Sequence, residues 1–215
     1  MTEEKKTTER RENDDYPTMP WVTKLLFRKL ELPSGRWLEP CAGAGAIIRD
    51  VPVLGIRWNA VELQDQYRNS LANIRSEAGG VVERVLIGDF FMAAEESMLG
   101  KASPDPAKRP FDVTFTNPPF LLAQDFIEAC RLLSRYLVLL LRLNFLASGK
   151  RADMFAVDMP DIYVLPDRPS FTGTGSYPAD YGWFVWGPEA RSVGAIQVLP
   201  SLPREERPKG EKVEE

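Results

Sequence analysis

The sequence predicts one α/β domain with a doubly wound sheet, in which most strands are parallel and a hairpin at the C-terminal end is antiparallel. Short apolar runs alternate with amphipathic stretches, and the first five runs are separated by segments of crossover length. The fifth run is continuously apolar from Leu137 to Leu141, as expected of a strand covered on both faces. The last two clear runs are joined by residues 167–180, whose Pro, Gly and Ser content predicts a long loop and hence an antiparallel pair.

Each predicted strand is a short apolar run, and each predicted helix is an amphipathic stretch. The strands are expected at Arg36–Glu39, Trp58–Leu63, Val81–Ile87, Val113–Thr116, Tyr136–Leu143, Asp161–Leu165 and Gly182–Trp186, with a possible eighth at Ala195–Leu199. The helices are expected at Pro20–Leu30, Ile47–Val51, Gln64–Glu77 and Leu122–Ser134.

The two ends of the chain differ in composition from its middle. Residues 1–15 hold six acids and four bases, and residues 201–215 hold five acids and four bases with two prolines. Both segments are predicted to be disordered charged tails, because neither contains enough apolar surface to fold. Residues 16–200 are therefore expected to form a single domain.

The composition excludes several classes of site. The chain has no histidine, which rules out Ser-His and Cys-His nucleophiles, imidazole acid–base catalysis and His-ligated metals. Cys41 and Cys130 are too few for a zinc site, so no metal is expected. With 27 bases against 31 acids, bulk charge does not favour binding to polyanions. No apolar run approaches the roughly 20 residues of a membrane span, so a cytoplasmic protein without membrane contact is expected.

A glycine-rich turn follows the first strand. It comprises Glu39, Pro40, Cys41, Ala42, Gly43, Ala44 and Gly45. Two glycines let the backbone approach a ligand closely, so a side chain at Gly43 or Gly45 is expected to fill the ligand's space. The turn is not a phosphate-binding P-loop, because Ala46 stands where that motif has lysine, and Ile48 breaks the dinucleotide fingerprint. The alternative is a glycine turn without a ligand.

Acidic residues follow the next two strands. Glu62 ends the second strand, 23 residues after Glu39, where an acid commonly accepts hydrogen bonds from ribose hydroxyls. Asp89 and Phe90 follow the third strand, although Asp89 could equally cap a helix. Because the carboxyl ends of parallel strands share one edge of the sheet, the series predicts a site for a nucleoside rather than a dinucleotide.

The fourth strand ends in Asn117, Pro118, Pro119 and Phe120. Two consecutive prolines cannot extend a central strand, so the chain must leave the sheet there. The Asn117 side-chain oxygen and the Pro118 carbonyl then offer two acceptors, and Phe120 offers a flat ring. Two acceptors and a stacking ring suit a planar amine. The alternative is a proline turn capped by the asparagine.

Together, the glycine-rich turn and the Asn-Pro-Pro-Phe segment resemble the S-adenosylmethionine-dependent amino-methyltransferases, above all DNA adenine-N6 enzymes of the small phage and prophage type. The resemblance implies a Rossmann-like class I methyltransferase sheet, S-adenosylmethionine as cofactor, and duplex DNA with a flipped adenine as substrate. It implies that the glycine-rich turn holds the methionine part of the cofactor, that Glu62 holds its ribose and that Asp89 with Phe90 holds its adenine. Asn117 to Phe120 would hold the target amine next to the cofactor.

Two further segments extend the resemblance. Tyr16, Pro17 and Thr18 resemble the family's N-terminal motif, which closes over the carboxylate end of the cofactor, although Met19 separates Thr18 from Pro20. The later stretches 143–151, 168–173 and 183–186 are similar to small phage members. The substrate-facing residues are expected to be Phe120, Lys150, Arg151, Arg168 and Phe171. The alternatives are ordinary solvated basic residues, and a Phe171 ring that packs on Trp183.

Target recognition is expected to be short or relaxed, because the 22 residues between Asp89 and Asp112 cannot hold a separate recognition domain. Two other functions stay open at this point. One is the same methyl transfer to a base in RNA or to a protein glutamine. The other is a nucleotide-binding module without catalytic activity.

Overall fold

The computed structural model describes residues 17–169, 179–188 and 194–201. The strands there are β1 (Gly35–Glu39), β2 (Ile56–Glu62), β3 (Val81–Ile87), β4 (Phe111–Thr116), β5 (Ser134–Arg142), β6 (Asp161–Val164), β7 (Tyr181–Trp186) and β8 (Ile196–Val198). The α-helices are α1 (Pro20–Phe27), α2 (Ala46–Asp50), α3 (Arg68–Ala72), α4 (Phe90–Glu95), α5 (Ala123–Leu133) and α6 (Ala152–Val157). Both predicted tails, apart from Ser201, lie outside the described residues.

The strands form one sheet in the order β3-β2-β1-β4-β5-β7-β6-β8. The pairs from β3 through β5 are parallel, as is the pair of β6 and β8, whereas β7 is antiparallel to both of its neighbours. The predicted fold class, including the antiparallel pairing of the last two clear strands, is confirmed. The strand order reverses between β1 and β4, which is where doubly wound sheets bind their ligands.

Helices cover both faces of the sheet. One core joins α1, α2 and α3 to large rings such as Trp37, Trp58 and Trp183, and the other joins α4, α5 and α6 to the opposite face. The strand β5 contributes to both cores, with Leu139 on one side and Leu140 on the other, and neither is exposed. This burial on both faces is why β5 is continuously apolar.

The helix predicted at Gln64–Glu77 is much shorter than expected. A 3-10 turn at Asp65–Tyr67 leads into α3, which ends at Ala72. Within this segment the Ser70 hydroxyl donates to the Tyr67 carbonyl at 2.8 Å, and the Asn73 amide donates to the Asn69 carbonyl at 2.8 Å. Such side chains compete with the helical backbone for hydrogen bonds, which disfavours a longer helix.

The helices α4 and α6, of six residues each, were not predicted. The prediction for α5 is confirmed within one residue at each end, and the possible eighth strand is present as β8. Among the described helices, none is both long and apolar enough to cross a membrane.

Candidate active site

A cleft opens at the carboxyl edge of the sheet, where the loops after β1, β2, β3 and β4 meet. Its empty volume, solvent-filled mouth included, is about 560 Å³. The residues that line it are Pro40, Cys41, Glu62, Leu63, Gln64, Gly88, Asp89, Phe90, Phe91, Pro119, Leu122 and Phe126. The structure therefore brings predicted residues from all four strand ends into one cavity.

The glycine-rich turn folds tightly between β1 and α2. Gly43 and Gly45 both have positive φ, at 50° and 81°, a region that favours glycine. The Gly45 amide donates to the Ala42 carbonyl at 2.7 Å, and the Ala42 amide donates to the Val61 carbonyl of the neighbouring strand at 3.0 Å. These bonds fix the turn over the end of β2.

The structure shows a packing constraint at Gly45. A Cβ at this position would lie 2.0 Å from Cδ1 of Ile74, which is a buried residue just after α3. Packing within the protein and the positive φ therefore disfavour a side chain here, independently of any ligand. Contact of its backbone with a cofactor stays a prediction.

We expect Gly45→Ala to destabilise the protein by about 1–3 kcal/mol, from strain and overpacking together. Chemical denaturation measures the loss. Gly79→Ala is the matched control, because Gly79 has a φ of 77° but no atom within 4 Å of its added Cβ. Ile74→Val removes the clashing methyl group, so it should recover part of the loss in a double variant. Equal losses in the Gly45 and Gly79 variants would contradict the packing explanation.

Glu62 accepts hydrogen bonds from the loops after β1 and β2 at the cleft wall. Its Oε2 accepts from the Gly43 amide at 2.7 Å, and its Oε1 accepts from the Gln64 amide at 2.8 Å. The side chain is buried, so its orientation is fixed by these two bonds. Each carboxylate oxygen has a second lone pair available for a ligand hydroxyl. The predicted contact with ribose stays a prediction.

Asp89 is a helix cap as well as a lining residue of the cleft. Its Oδ1 accepts from the Met92 amide at 3.0 Å at the start of α4, and the residue is exposed to solvent. The neighbouring Phe90 is buried and stacks on Phe126 with ring centroids 5.1 Å apart. The two interpretations of Asp89 are therefore compatible, and Phe90 supports the cleft wall from the core.

Glu39 is the least satisfied polar group of this edge. It is 1% exposed, and neither carboxyl oxygen has a hydrogen-bond partner of good geometry among the described residues. Burial raises the pKa of this carboxyl well above its ordinary value, and the nearby Thr116 hydroxyl and Cys41 backbone only partly oppose the rise. The Thr116 hydroxyl is likewise buried with no hydrogen bond of good geometry in the described part of the chain. A cationic ligand group would satisfy both side chains.

The two cysteines do not provide a nucleophile. Burial raises the pKa of the Cys41 thiol well above its ordinary value, and it raises the pKa of Cys130 as well. A thiol with a raised pKa stays protonated near neutral pH, whereas the thiolate is the reactive form. The described residues also hold no group of three or more acids and cysteines that could bind a metal ion.

The chain leaves the sheet at Asn117, as predicted. Pro118 is buried, Pro119 lines the cleft, and Phe120 begins a 3-10 turn that leads into α5. The Phe120 ring contacts two residues that the sequence did not indicate. The Arg142 guanidinium lies 4.7 Å from its centroid, and the Tyr181 ring lies 5.6 Å away at 47°. Arg142 is the last residue of β5, so its place at the carboxyl end of a strand could have indicated it.

The expected substrate-facing residues differ in their surroundings. Arg168 is ion-paired to Asp180, with Nε 2.8 Å from Oδ1. Arg151 donates to the Phe145 carbonyl at 2.7 Å and stacks over the Phe145 ring at 4.1 Å, while Lys150 is exposed. Both arginines therefore have protein partners.

The remaining predicted residues belong to the N-terminal motif and to the long loop. Thr18 is buried and Pro17 is exposed just before α1. Tyr16 and Phe171 lie outside the described residues.

No protein-family model matches the chain, and no curated protein matches its sequence. Solved structures do match. A predicted O-methyltransferase from Agrobacterium tumefaciens is similar with a TM-score of 0.54 and 19% identity, over 83% of this chain and 84% of that one. The 23S rRNA methyltransferase ErmE is similar with a TM-score of 0.53 and 14% identity, over 82% and 70%.

The chain has the class I methyltransferase fold. A third match has a TM-score of 0.52 and 14% identity. It is a protein from Vibrio vulnificus described as a modification subunit of a type I restriction enzyme, and 82% of this chain matches 45% of that one. At these identities the methyltransferase fold is what the comparisons establish.

Proposed function

We propose that this protein transfers a methyl group from S-adenosylmethionine to the exocyclic N6 amine of adenine in DNA. The observation that carries the proposal is the position of Asn117-Pro-Pro-Phe120. This segment leaves β4 at the edge of a cleft whose other walls follow β1, β2 and β3. Acceptors for an amine, a stacking ring and a cavity for a nucleoside cofactor therefore share one edge of a methyltransferase fold.

The residues present fit the cofactor. Glu62 and Asp89 line the cleft and offer carboxylate oxygens to hydroxyl and amine groups of a nucleoside. Leu63 and Leu122 add apolar walls to the same cavity. Glu39, buried with no hydrogen-bond partner of good geometry in the described chain, suits the cationic ammonium of the methionine part.

The chemistry needs no histidine. When bound, S-adenosylmethionine supplies a sulfonium that is a reactive methyl donor. The protein's task is to hold the amine in line with that methyl group and to stabilise the charge that develops on nitrogen. In the proposed mechanism the Asn117 side-chain oxygen and the Pro118 carbonyl accept hydrogen bonds from the amine. Cys41 takes no part as a nucleophile, because its thiol is protonated.

An adenine inside a duplex is out of reach of this edge, so the base must flip. Flipping costs a few kcal/mol, and stacking of the base on Phe120 returns about 1–3 kcal/mol of that cost. The phenylalanine at position 120, rather than tyrosine, favours DNA as substrate. RNA is the second candidate, because one structurally similar protein is an rRNA methyltransferase.

Transfer of label from the methyl group of S-adenosylmethionine to duplex DNA, RNA and protein tests the class of substrate. We expect incorporation into DNA, with weaker or no incorporation into the other polymers. Incorporation into RNA alone would replace DNA with the second candidate. Tight cofactor binding without any transfer would favour a binding module instead.

Target choice is proposed to be short or relaxed, because the described chain adds no second domain to the cleft. Arg168 is ion-paired to Asp180, and the two residues lie near opposite ends of the predicted loop 167–180. A contact of Arg168 with DNA would therefore have to replace that ion pair. Each good bidentate contact to a base gives only about 1–3 kcal/mol of discrimination. Mapping methylated adenines on random-sequence DNA should show at most a few fixed bases around the target, whereas a motif of about six or more would contradict this expectation.

A further inference from the structure

We infer that Arg142 is a positioning residue, which together with Tyr181 holds the Phe120 ring in the orientation that stacks the target base. The inference rests on the proposed function for its substrate. Its structural part, the clamp on Phe120, rests only on contacts within the protein.

The sheet itself builds this clamp. Arg142 and Tyr181 are direct partners across the antiparallel pair of β5 and β7. Directly opposed residues point to the same face of a sheet, so both side chains project together. Both reach the same ring, with the guanidinium 4.7 Å from the Phe120 centroid and the Tyr181 ring 5.6 Å away. Tyr181 is 1% exposed, which makes it a fixed wall rather than a mobile one.

The ring lies at the start of a solvent-exposed turn, where contacts from other elements contribute to its position. Phe120 begins a short 3-10 turn, and the next residue, Leu121, is 75% exposed. Phe120 itself is half-buried and packs at the margin of both cores. With the guanidinium over one face of the ring, an incoming base must stack on the other face.

Arginine suits this role better than lysine. Its guanidinium is planar and stacks on an aromatic face, while its charge is attracted to the π-electrons of the ring. The attraction is stronger where water is partly excluded, and Arg142 is half-buried. A neutral side chain of similar length keeps some packing but loses the attraction.

The chain offers a matched control at the opposite edge of the sheet. Arg36, near the start of β1, lies over the ring of Phe111, the first residue of β4, at 5.3 Å from its centroid. This pair has the same chemistry as the pair of Arg142 and Phe120, but it lies at the amino ends of the strands, away from the cleft. Arg36→Met therefore measures what loss of such a contact does to the fold alone.

The first test measures the NMR signals of the Phe120 ring in protein labelled at its phenylalanine rings. Phe120→Leu identifies the Phe120 signals. We expect Arg142→Met to shift and broaden the Phe120 signals while those of Phe111 stay in place, and Arg36→Met to do the reverse. Unchanged Phe120 signals in Arg142→Met would overturn the inference. This measurement needs no substrate. It therefore tests whether Arg142 holds the Phe120 ring even if the wild-type protein methylates no nucleic acid.

The second test is kinetic. Arg142→Met should raise KM for DNA about three- to tenfold, the range expected from a lost cation–π contact, and leave the cofactor Kd within about twofold. Arg142→Lys should raise KM for DNA less than Arg142→Met does, whereas Arg36→Met should leave KM at the wild-type value. A KM in Arg142→Met equal to the wild-type value, or equal KM changes in Arg142→Met and Arg36→Met, would show that Arg142 does not position the base.

Discussion

Asn117→Ala is expected to lower kcat for DNA methylation by about 10²–10³, the usual loss when one preorganised hydrogen-bonding group is removed from a transition state. In the proposed mechanism the Asn117 oxygen accepts from the amine as charge develops on nitrogen. That interaction strengthens in the transition state, so the loss should appear in kcat more than in KM. Single-turnover measurements with saturating cofactor and DNA give the rate.

Two comparisons make this prediction specific. The cofactor Kd should stay within about twofold of the wild-type value, because the proposal places Asn117 against the amine. Asn117→Asp keeps an acceptor at the same place and should retain more activity than the alanine variant. A kcat for Asn117→Ala near the wild-type value would mean that the target amine is held elsewhere.

Glu39→Gln is expected to weaken cofactor binding by roughly 30-fold or more, the lower end of the loss for a buried charge partner. The proposal places the cofactor's ammonium against this carboxyl. Burial raises the pKa of this carboxyl, so wherever the pH lies below the raised pKa, cofactor binding must release a proton from it. Wild-type affinity should therefore rise with pH until the carboxyl is ionised without the cofactor. Calorimetry at several pH values measures both effects.

The same substitution should stabilise the unliganded protein. Because the pKa of the Glu39 carboxyl is raised in the folded state, the free energy of unfolding falls as the pH rises above the ordinary pKa of 4.5. The fall ends once the pH passes the raised pKa. Glutamine avoids this loss, so the Tm of Glu39→Gln should match that of the wild type near about pH 4 and exceed it near about pH 8.

Glu62→Gln is the matched control for the Tm comparison. It should lower Tm, because the Glu62 carboxylate accepts two backbone hydrogen bonds. A Glu39→Gln protein with wild-type cofactor affinity would contradict the role given to Glu39.

The sheet could be predicted because its signals are local. Each strand is an apolar run, and the continuous run in β5 already indicated burial on both faces. The position of β7 between β5 and β6 could not be predicted, because it depends on pairing with residues of β5 that lie 39 or more positions earlier in the chain. The length of the helix predicted at Gln64–Glu77 was wrong, because hydrogen bonds from Ser70 and Asn73 to the backbone outweighed the amphipathic pattern.

The cleft could be predicted for a related reason. Parallel strands bring their carboxyl ends to one edge, so residues just after each strand meet without any knowledge of distant pairings. The contacts that the antiparallel pair of β5 and β7 makes with the cleft were not predicted, above all those of Arg142 and Tyr181 with Phe120. The ion pair of Arg168 with Asp180 was missed too, because sequence alone does not show which acid a loop brings to an arginine.

The central claim is that Asn117 to Phe120 direct a methyl group to the N6 amine of adenine. Mass spectrometry of nucleosides from duplex DNA, incubated with the protein and isotope-labelled S-adenosylmethionine, tests it most directly. We expect labelled N6-methyladenine with the wild-type protein and almost none with Asn117→Ala. Label in another nucleoside, or no label in DNA despite cofactor binding, would contradict it.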